Sequence, residues 1–229
     1  MIKNIIKNKL CIFLILMICG VILVLLFLFT GREKESAEND FFFENNRTQV
    51  ICDVQINNLE GEEKVYELNL NIEKLEEFEN GTLYRMELEQ PEVEDPIDKI
   101  GMGRSYLGYY YVTEDKIYLR PLYEYNQTGG YTEETDQAVI EGIQKDEQSF
   151  LEEECLLVNC NEEIDRIADE NGWYSYVEVI GDTHIYYLYN SYTSGTKEYR
   201  KIIWQKGKGM VYYLHGAGAR KMEVEIFMR

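Results

Sequence analysis

The chain has 229 residues, and its 42 acidic against 23 basic side chains give a formal net charge of −19. A surface of that sign repels nucleic acid and anionic lipid, so binders of polyanions are excluded. About 200 residues follow an apolar N-terminal span, enough for one well-buried domain.

Residues 1–9 read as a cytoplasmic tail and residues 10–30 as a transmembrane helix. From Leu10 to Thr30 no residue is charged, and at about 1.5 Å per residue the segment spans roughly 31 Å, the thickness of a bilayer's hydrocarbon core. Lys3, Lys7 and Lys9 precede it without an acid, whereas Arg32 and Lys34 alternate with Glu33 and Glu35 beyond it. The positive-inside rule therefore predicts a cytoplasmic N-terminus and a C-terminal domain outside the cytoplasm. Removable-signal patterns fit poorly. The apolar core is too long for a secretory signal and ends without a small-x-small site, while Cys19 follows Ile18 instead of the small residue a lipoprotein signal needs. The expected partner of residues 10–30 is the lipid bilayer.

Residues 31–46 read as a juxtamembrane linker, charged and polar apart from Phe41, Phe42 and Phe43, which rest at the membrane interface or dock on the domain. Residues 47–229 form the extracytoplasmic β-rich domain. Without the three N-terminal lysines, 20 basic residues face 42 acidic ones. The basic residues crowd into the stretch from Thr196 onward, where pairing with acids across strands is expected in preference to a basic face. Cys52, Cys155 and Cys160 leave two readings open: a bridge from Cys52 to one of the others, or buried reduced thiols.

In chain order, Gln49 to Asn57 alternates apolar and polar residues as a half-buried strand does. Tyr66, Leu68, Leu70 and Ile72 continue the alternation as the partner of a hairpin, and Thr82 to Glu89 is a third strand. Pro91 to Met102 is a loop. Arg104 to Val112 and Lys116 to Arg120 are strands in a section dense in tyrosine. Thr132 caps a helix carrying Val139, Ile143, Phe150 and Leu151 on one side. Leu156 to Val158 is a short strand, and Glu162 to Glu170 a short helix that Asn171-Gly172 ends. Tyr174 to Ile180, Thr183 to Tyr189, Lys197 to Gln205, Met210 to His215 and Met222 to Met228 are strands joined by Gly-rich turns, an antiparallel meander. The fold class is α+β, mainly β: a twisted antiparallel sheet or half barrel packed on one longer helix. The spacing of Ile202 and Trp204 puts both on one strand face, packed inward against Val211 and Tyr213.

Gly108-Tyr-Tyr-Tyr-Val-Thr-Glu-Asp-Lys-Ile-Tyr118 and Trp204-Gln-Lys-Gly-Lys-Gly-Met-Val-Tyr-Tyr213 resemble segments of uncharacterised, membrane-anchored exported proteins of Gram-positive anaerobes. That resemblance implies a curved sheet completed by a late Trp and a Gly turn. It implies no activity.

The chemistry-bearing motifs give way to structural readings. Asp169, Asn171, Gly172 and Glu178 match a calcium loop except that its first ligand is Ile167, so helix ending explains them better. His184 and His215 lie outside any metal spacing, and no serine elbow is present. Gly207-Lys-Gly209 and Gly216-Ala-Gly-Ala-Arg220 join strands, which is turn chemistry and not a phosphate cradle. No catalytic, cofactor-binding or metal residue is assigned, and no cofactor is expected. The expected function is a non-enzymatic binding or accessory module that presents the concave, tyrosine-rich sheet face to a cell-envelope ligand or protein partner. The alternatives are a cell-wall-directed hydrolase using paired carboxylates, or a structural subunit of a membrane complex.

Overall fold

Apolar residues at every second position make each strand one-sided, and a one-sided strand has to share its buried face with others. The computed structural model describes residues 39–44, 47–57, 63–94, 99–100, 104–120, 130–151, 156–160, 167–168, 173–190, 198–217 and 222–229. Contacts divide the chain into Met1–Ser36 and Ala37–Arg229, and the second unit holds every described residue. The predicted anchor lies outside them. Among the described residues no helix is long and apolar enough to cross a membrane.

Strand β1 (Gln49–Asn57) buries Val50, Cys52, Val54 and Ile56 and turns the residues between them outward. After it come β2 (Glu63–Glu77), β3 (Thr82–Leu88), β4 (Tyr106–Val112) and β5 (Lys116–Arg120). Helix α1 (Glu133–Lys145) and the single turn α2 (Glu147–Phe150) lead to β6 (Leu156–Asn159) and the two-residue β7 (Ile167–Ala168). The chain closes with β8 (Trp173–Ile180), β9 (Thr183–Asn190), β10 (Glu198–Gln205), β11 (Gly209–Ala217) and β12 (Met222–Met228).

All twelve strands form one sheet in the order β6-β5-β4-β3-β2-β1-β12-β11-β10-β9-β8-β7. Every neighbouring pair is antiparallel, and the pairing of β1 with β12 joins an N-terminal meander to a C-terminal one. The sheet curls until its two halves meet. Tyr110 of β4 and Trp204 of β10 are six places apart in that order, yet their ring centroids are 5.9 Å apart. In a flat sheet, with strands about 4.8 Å apart, they would stand roughly 29 Å from each other. The half barrel expected from the alternation is thus a nearly closed one, with a single interior built from both meanders.

Outside, α1 covers one part of this barrel. Val139 and Ile143 settle on Leu83, Tyr109, Tyr111, Tyr118 and Leu156, which face outward from β3 to β6. That makes β4 buried on both faces, as its run of large residues from Tyr109 to Val112 requires. Thr132 caps the helix as expected: its hydroxyl accepts from the Thr135 amide at 3.1 Å, and the Thr135 hydroxyl accepts from the Thr132 amide at 2.9 Å. The helix ends earlier than its apolar pattern suggests. Asp146 leaves helical geometry at φ −157°, so Phe150 belongs to α2 and Leu151 lies beyond both.

Two further expectations are corrected. Ile167 and Ala168, placed in a short helix by the pattern, are instead paired with Ser175 and Tyr174. The open edge of β8 offers them ladder hydrogen bonds that one short helical turn cannot match; the rest of that predicted helix lies outside the described residues. On β11 the register shifts by one beside Ile203 and Trp204, so Met210 and Tyr213 point inward and Val211 does not.

A second bulge interrupts the β3–β4 pairing beside Gly108, whose φ is 110°. A Cβ at Gly108 would stand 2.7 Å from the Leu119 side chain and 2.8 Å from the Arg120 carbonyl oxygen, so the position admits only glycine. The hydroxyl of Tyr131 fills the gap. It accepts from the Gly108 amide at 2.8 Å and lies 2.7 Å from the Met86 carbonyl and 2.9 Å from that of Gly108, to either of which it can donate.

Candidate functional site

The concave face, where the tyrosine pattern placed a ligand surface, is occupied by the protein itself. Tyr110, Tyr213, Ile202 and Trp204 are fully buried there. Trp204 is a core residue and not a platform. Its indole nitrogen has no hydrogen-bond partner among the described residues, so it contributes shape and area alone.

Much of that filling comes from the segment ahead of β1. Of the two places left open for Phe41, Phe42 and Phe43, the domain takes them: all three are buried. Phe41 meets the His184 ring edge-on at 4.6 Å, Phe42 lies 4.6 Å from Tyr84 and stacks on Trp204 at 5.9 Å, and Phe43 lies 6.1 Å from Trp204. The segment reaches its seat at one end of the barrel. The Asn39 side chain donates to Thr113 O at 2.8 Å, in the β4–β5 turn, and Asp40 O accepts from the Gly207 amide at 2.7 Å, in the β10–β11 turn. Lys206 adds an ion pair to Asp40 at 2.9 Å. Gly209, with φ at 83°, has no side chain because Phe43 lies against it: a Cβ there would be 2.5 Å from the ring.

Carboxylates of sheet and helix gather around Arg85 on the outer side of β3. Glu73 takes its Nη2 at 2.7 Å, Asp136 at the start of α1 takes Nη1, and Glu87 is electrostatically coupled to it. Burial pushes the Asp136 carboxyl up, outweighing the Tyr109 hydroxyl that donates to it at 2.9 Å and the Arg85 charge. Burial likewise raises Glu87. A hydrolase needs its two acids facing an open space that admits substrate. Here Arg85 fills that space, bridging acids of sheet and helix while its guanidinium lies 5.4 Å from the Tyr131 ring.

The other sequence candidates stay apart. His184 is buried, and burial holds its imidazole below the usual range, hence neutral. His215 is buried on β11. Among the described residues no group of three or more His, Cys, Asp or Glu is placed to hold a metal ion; Asp169, Asn171 and Gly172 lie outside them. Cys52 and Cys160 are both free thiols, each pushed up to about 11 chiefly by burial, and Cys155 lies outside the described residues. Of the basic residues from Thr196 onward, Arg229 bonds Asp53 and reaches Glu67 at 2.6 Å and Lys206 bonds Asp40, while Lys201 lies against tyrosine rings.

What the barrel does expose is its outer face away from the helix. Tyr176 of β8 stacks on Tyr187 of β9 at 4.6 Å, and Lys201 of β10 lies 5.3 Å from the Tyr187 ring and 5.9 Å from Tyr212 of β11. Tyr212 meets Phe227 of β12 edge-on at 5.2 Å, and its hydroxyl donates to Glu225 at 2.8 Å. The row crosses five strands, Tyr176 opposite Tyr187, Tyr187 opposite Lys201 and Tyr212 opposite Phe227, with Lys201 and Tyr212 set diagonally across β10 and β11. Among the described residues the exposed large apolar side chains, Ile51, Val65, Tyr176, Ile180 and Phe227, all lie on this uncovered side. Alternation gives each of these strands two faces, but which of them a helix would cover is not written in it.

No family model matches the chain, and no curated protein is similar to it. Among solved structures it is similar to a candidate lipoprotein of Parabacteroides distasonis, at 9% identity and a TM-score of 0.33, over 83% of this chain and 98% of that one. It is also similar to a candidate exported protein of Bacteroides fragilis with a YmcC-like fold, at 9% identity and a TM-score of 0.31, over 82% of this chain and 97% of that one. Neither comparison confirms the Gram-positive affiliation. At these scores the likeness is too distant to assign a function.

Proposed function

We propose that this chain is a single-pass membrane protein, held by residues 10–30 with its N-terminus in the cytoplasm, whose barrel serves outside the cytoplasm as a non-enzymatic accessory module that docks a protein partner. The row Tyr176, Tyr187, Lys201, Tyr212 and Phe227 carries this reading. It sits on the one stretch of sheet that no element of the described chain covers, and aromatic residues on an exposed patch are the material of protein interfaces. Beside it stand Glu178, Glu223 and Glu225, with Asp53 and Glu67 held by Arg229, on a chain whose formal charge is −19. The fitting partner therefore has an apolar centre and a basic rim. Stacked rings and the Lys201 contact hold the row in place before contact, which lowers the ordering cost of association.

A photo-crosslinking side chain at Phe227, in the full chain in its native membrane, tests the reading against the same side chain at the exposed Gln137 of α1. One discrete adduct from position 227, absent from position 137 and abolished by Tyr212→Asp, is expected. Equal labelling from both positions, or none from 227, rejects docking through this face.

A further inference from the structure

The end of the barrel where Asn39 to Phe43 sits is constructed as a socket with an occupant. Its walls are strand residues whose own ladders are complete without the segment: Trp204 pairs with His184 and Met210, His184 with Val179 as well, and Tyr84 with Lys74 and Tyr110. The segment takes no place in any ladder. Its polar attachments, through Asn39, Asp40 and the Gly207 amide, reach the β4–β5 turn with the first residue of β5 and the β10–β11 turn, and its three rings fill the space between the strands. The segment is folded on itself before it reaches those walls, with the Phe41 amide donating to the Asn39 side chain at 2.9 Å and the Phe42 amide to Asn39 O at 2.9 Å. It is shaped like a bound turn peptide. Gly209 shows that the wall is shaped to match, since any side chain there would strike the Phe43 ring.

We infer that this socket is a second binding site, specific for an aromatic turn peptide of the Asn-Asp-Phe-Phe-Phe kind, and that the chain's own Asn39–Phe43 segment is its resident ligand, able to leave while the barrel stays folded. The Asn39 side chain sets the turn, the Gly207 amide takes the backbone carbonyl of the second position, the Lys206 ammonium selects an acidic side chain there, and the Trp204, Tyr84 and His184 rings select the aromatic triplet. Release exposes the floor at Trp204 to another peptide of the same chemistry. The site lies at the barrel end, apart from the outward row on the bare face.

Hydrogen exchange on the full-length protein reads the first half of this directly. The amides of Phe41, Phe42 and Gly207 should exchange at least a hundredfold faster than the ladder amides of Ile202 and Tyr213, because local opening frees the first group alone. Equal rates would show that the segment and the barrel open as one unit, and would overturn the inference. The second half uses Phe42→Asp in the full chain and a dye-labelled Asn-Asp-Phe-Phe-Phe-Glu peptide as the probe. The variant should keep its ladder protection and bind the peptide at least tenfold more tightly than wild type, whose socket is filled. A variant that loses ladder protection, or keeps it and ignores the peptide, refutes a separable site.

Discussion

The barrel has two tyrosine-rich flanks, and they have opposite fates. On β4 and β5, Tyr109, Tyr111 and Tyr118 point outward and are sealed beneath α1. On β8, β9 and β11, Tyr176, Tyr187 and Tyr212 point outward and meet solvent. Residue type and outward orientation are the same; only the cover differs. Tyrosine tolerates both because its ring is apolar and its tip polar. Under the helix each tip needs a fixed partner, and the Tyr109 hydroxyl duly lies 3.1 Å from Thr135 and 2.9 Å from Asp136, while Tyr111 donates to Glu147. On the bare flank neighbouring rings, Lys201 and Glu225 hold the row.

The sharpest way to break this comparison is to truncate one residue from each flank and one from the shared interior. Trp204→Ala empties the largest fully buried side chain and should cost about 3 to 5 kcal/mol, most of a typical domain's margin. Trp204→Phe should cost much less, since the indole N–H is bonded to nothing described. Tyr109→Ala should cost nearly as much as the alanine at Trp204, because it leaves a cavity under α1 and strips Asp136 and Thr135 of a partner. Tyr187→Ala should cost about 1 kcal/mol or less, the value of a surface aromatic contact. Denaturant melts of the four proteins check the order; equal costs for Tyr109 and Tyr187 would erase the difference between the flanks.

Those strands could be read from the sequence because alternation is local. Gln49–Asn57 and Lys116–Arg120 are where the pattern places them, since a period of two needs no knowledge of distant residues. The closure of the barrel through β1 and β12 was not readable, as it pairs Cys52 with Met228 across almost the whole domain. Nor was the seat of Phe41 to Phe43, because three consecutive rings have no period and only the tertiary fold decides what they touch. The concave face was expected to be open, and is filled instead, for a related reason. Alternation reveals that a strand has two faces but not which one a helix or an incoming segment will cover. In hindsight the run from Gly108 to Val112, apolar on both faces, is the one local sign that β4 needed cover on its outer side.

The cover itself gives the next two tests, in decreasing size. Ile143→Ala removes buried contact between α1 and the sheet and should cost about 2 to 4 kcal/mol. Exchange should then rise first at the α1 amides and not at those of β9 and β10. Thr132→Ala removes the capping hydroxyl that the Thr135 amide uses and should cost about 1 kcal/mol. It should leave the bare flank untouched, which crosslinking from position 227 would report.

The smallest effect is electrostatic, and it too belongs to the covered flank alone. Asp136 joins α1 to Arg85 and to the Tyr109 hydroxyl, yet burial raises its carboxyl above the ordinary value; Glu73 raises it further, while Tyr109 and Arg85 lower it. Glu87 is raised for the same first reason. A carboxyl raised on folding binds protons more tightly in the native state. Its contribution to stability is therefore fully present below the unfolded value, about 3.9 for aspartate, and is lost as pH climbs through the native one. Stability of wild type minus that of Asp136→Asn should accordingly fall as pH rises from about 4 and then level off once Asp136 has ionised, and denaturant melts across that range would measure it. Tyr212→Phe on the bare flank provides the contrast: it removes a hydroxyl that stays protonated throughout, raised by burial first and Glu225 second, so its difference from wild type should not follow a step at Asp136. A difference for Asp136→Asn that grows with pH would mean that Arg85 governs the carboxylate and burial does not. The helix would then be held to the sheet by an ion pair, and the covered flank would be the one that weakens in acid.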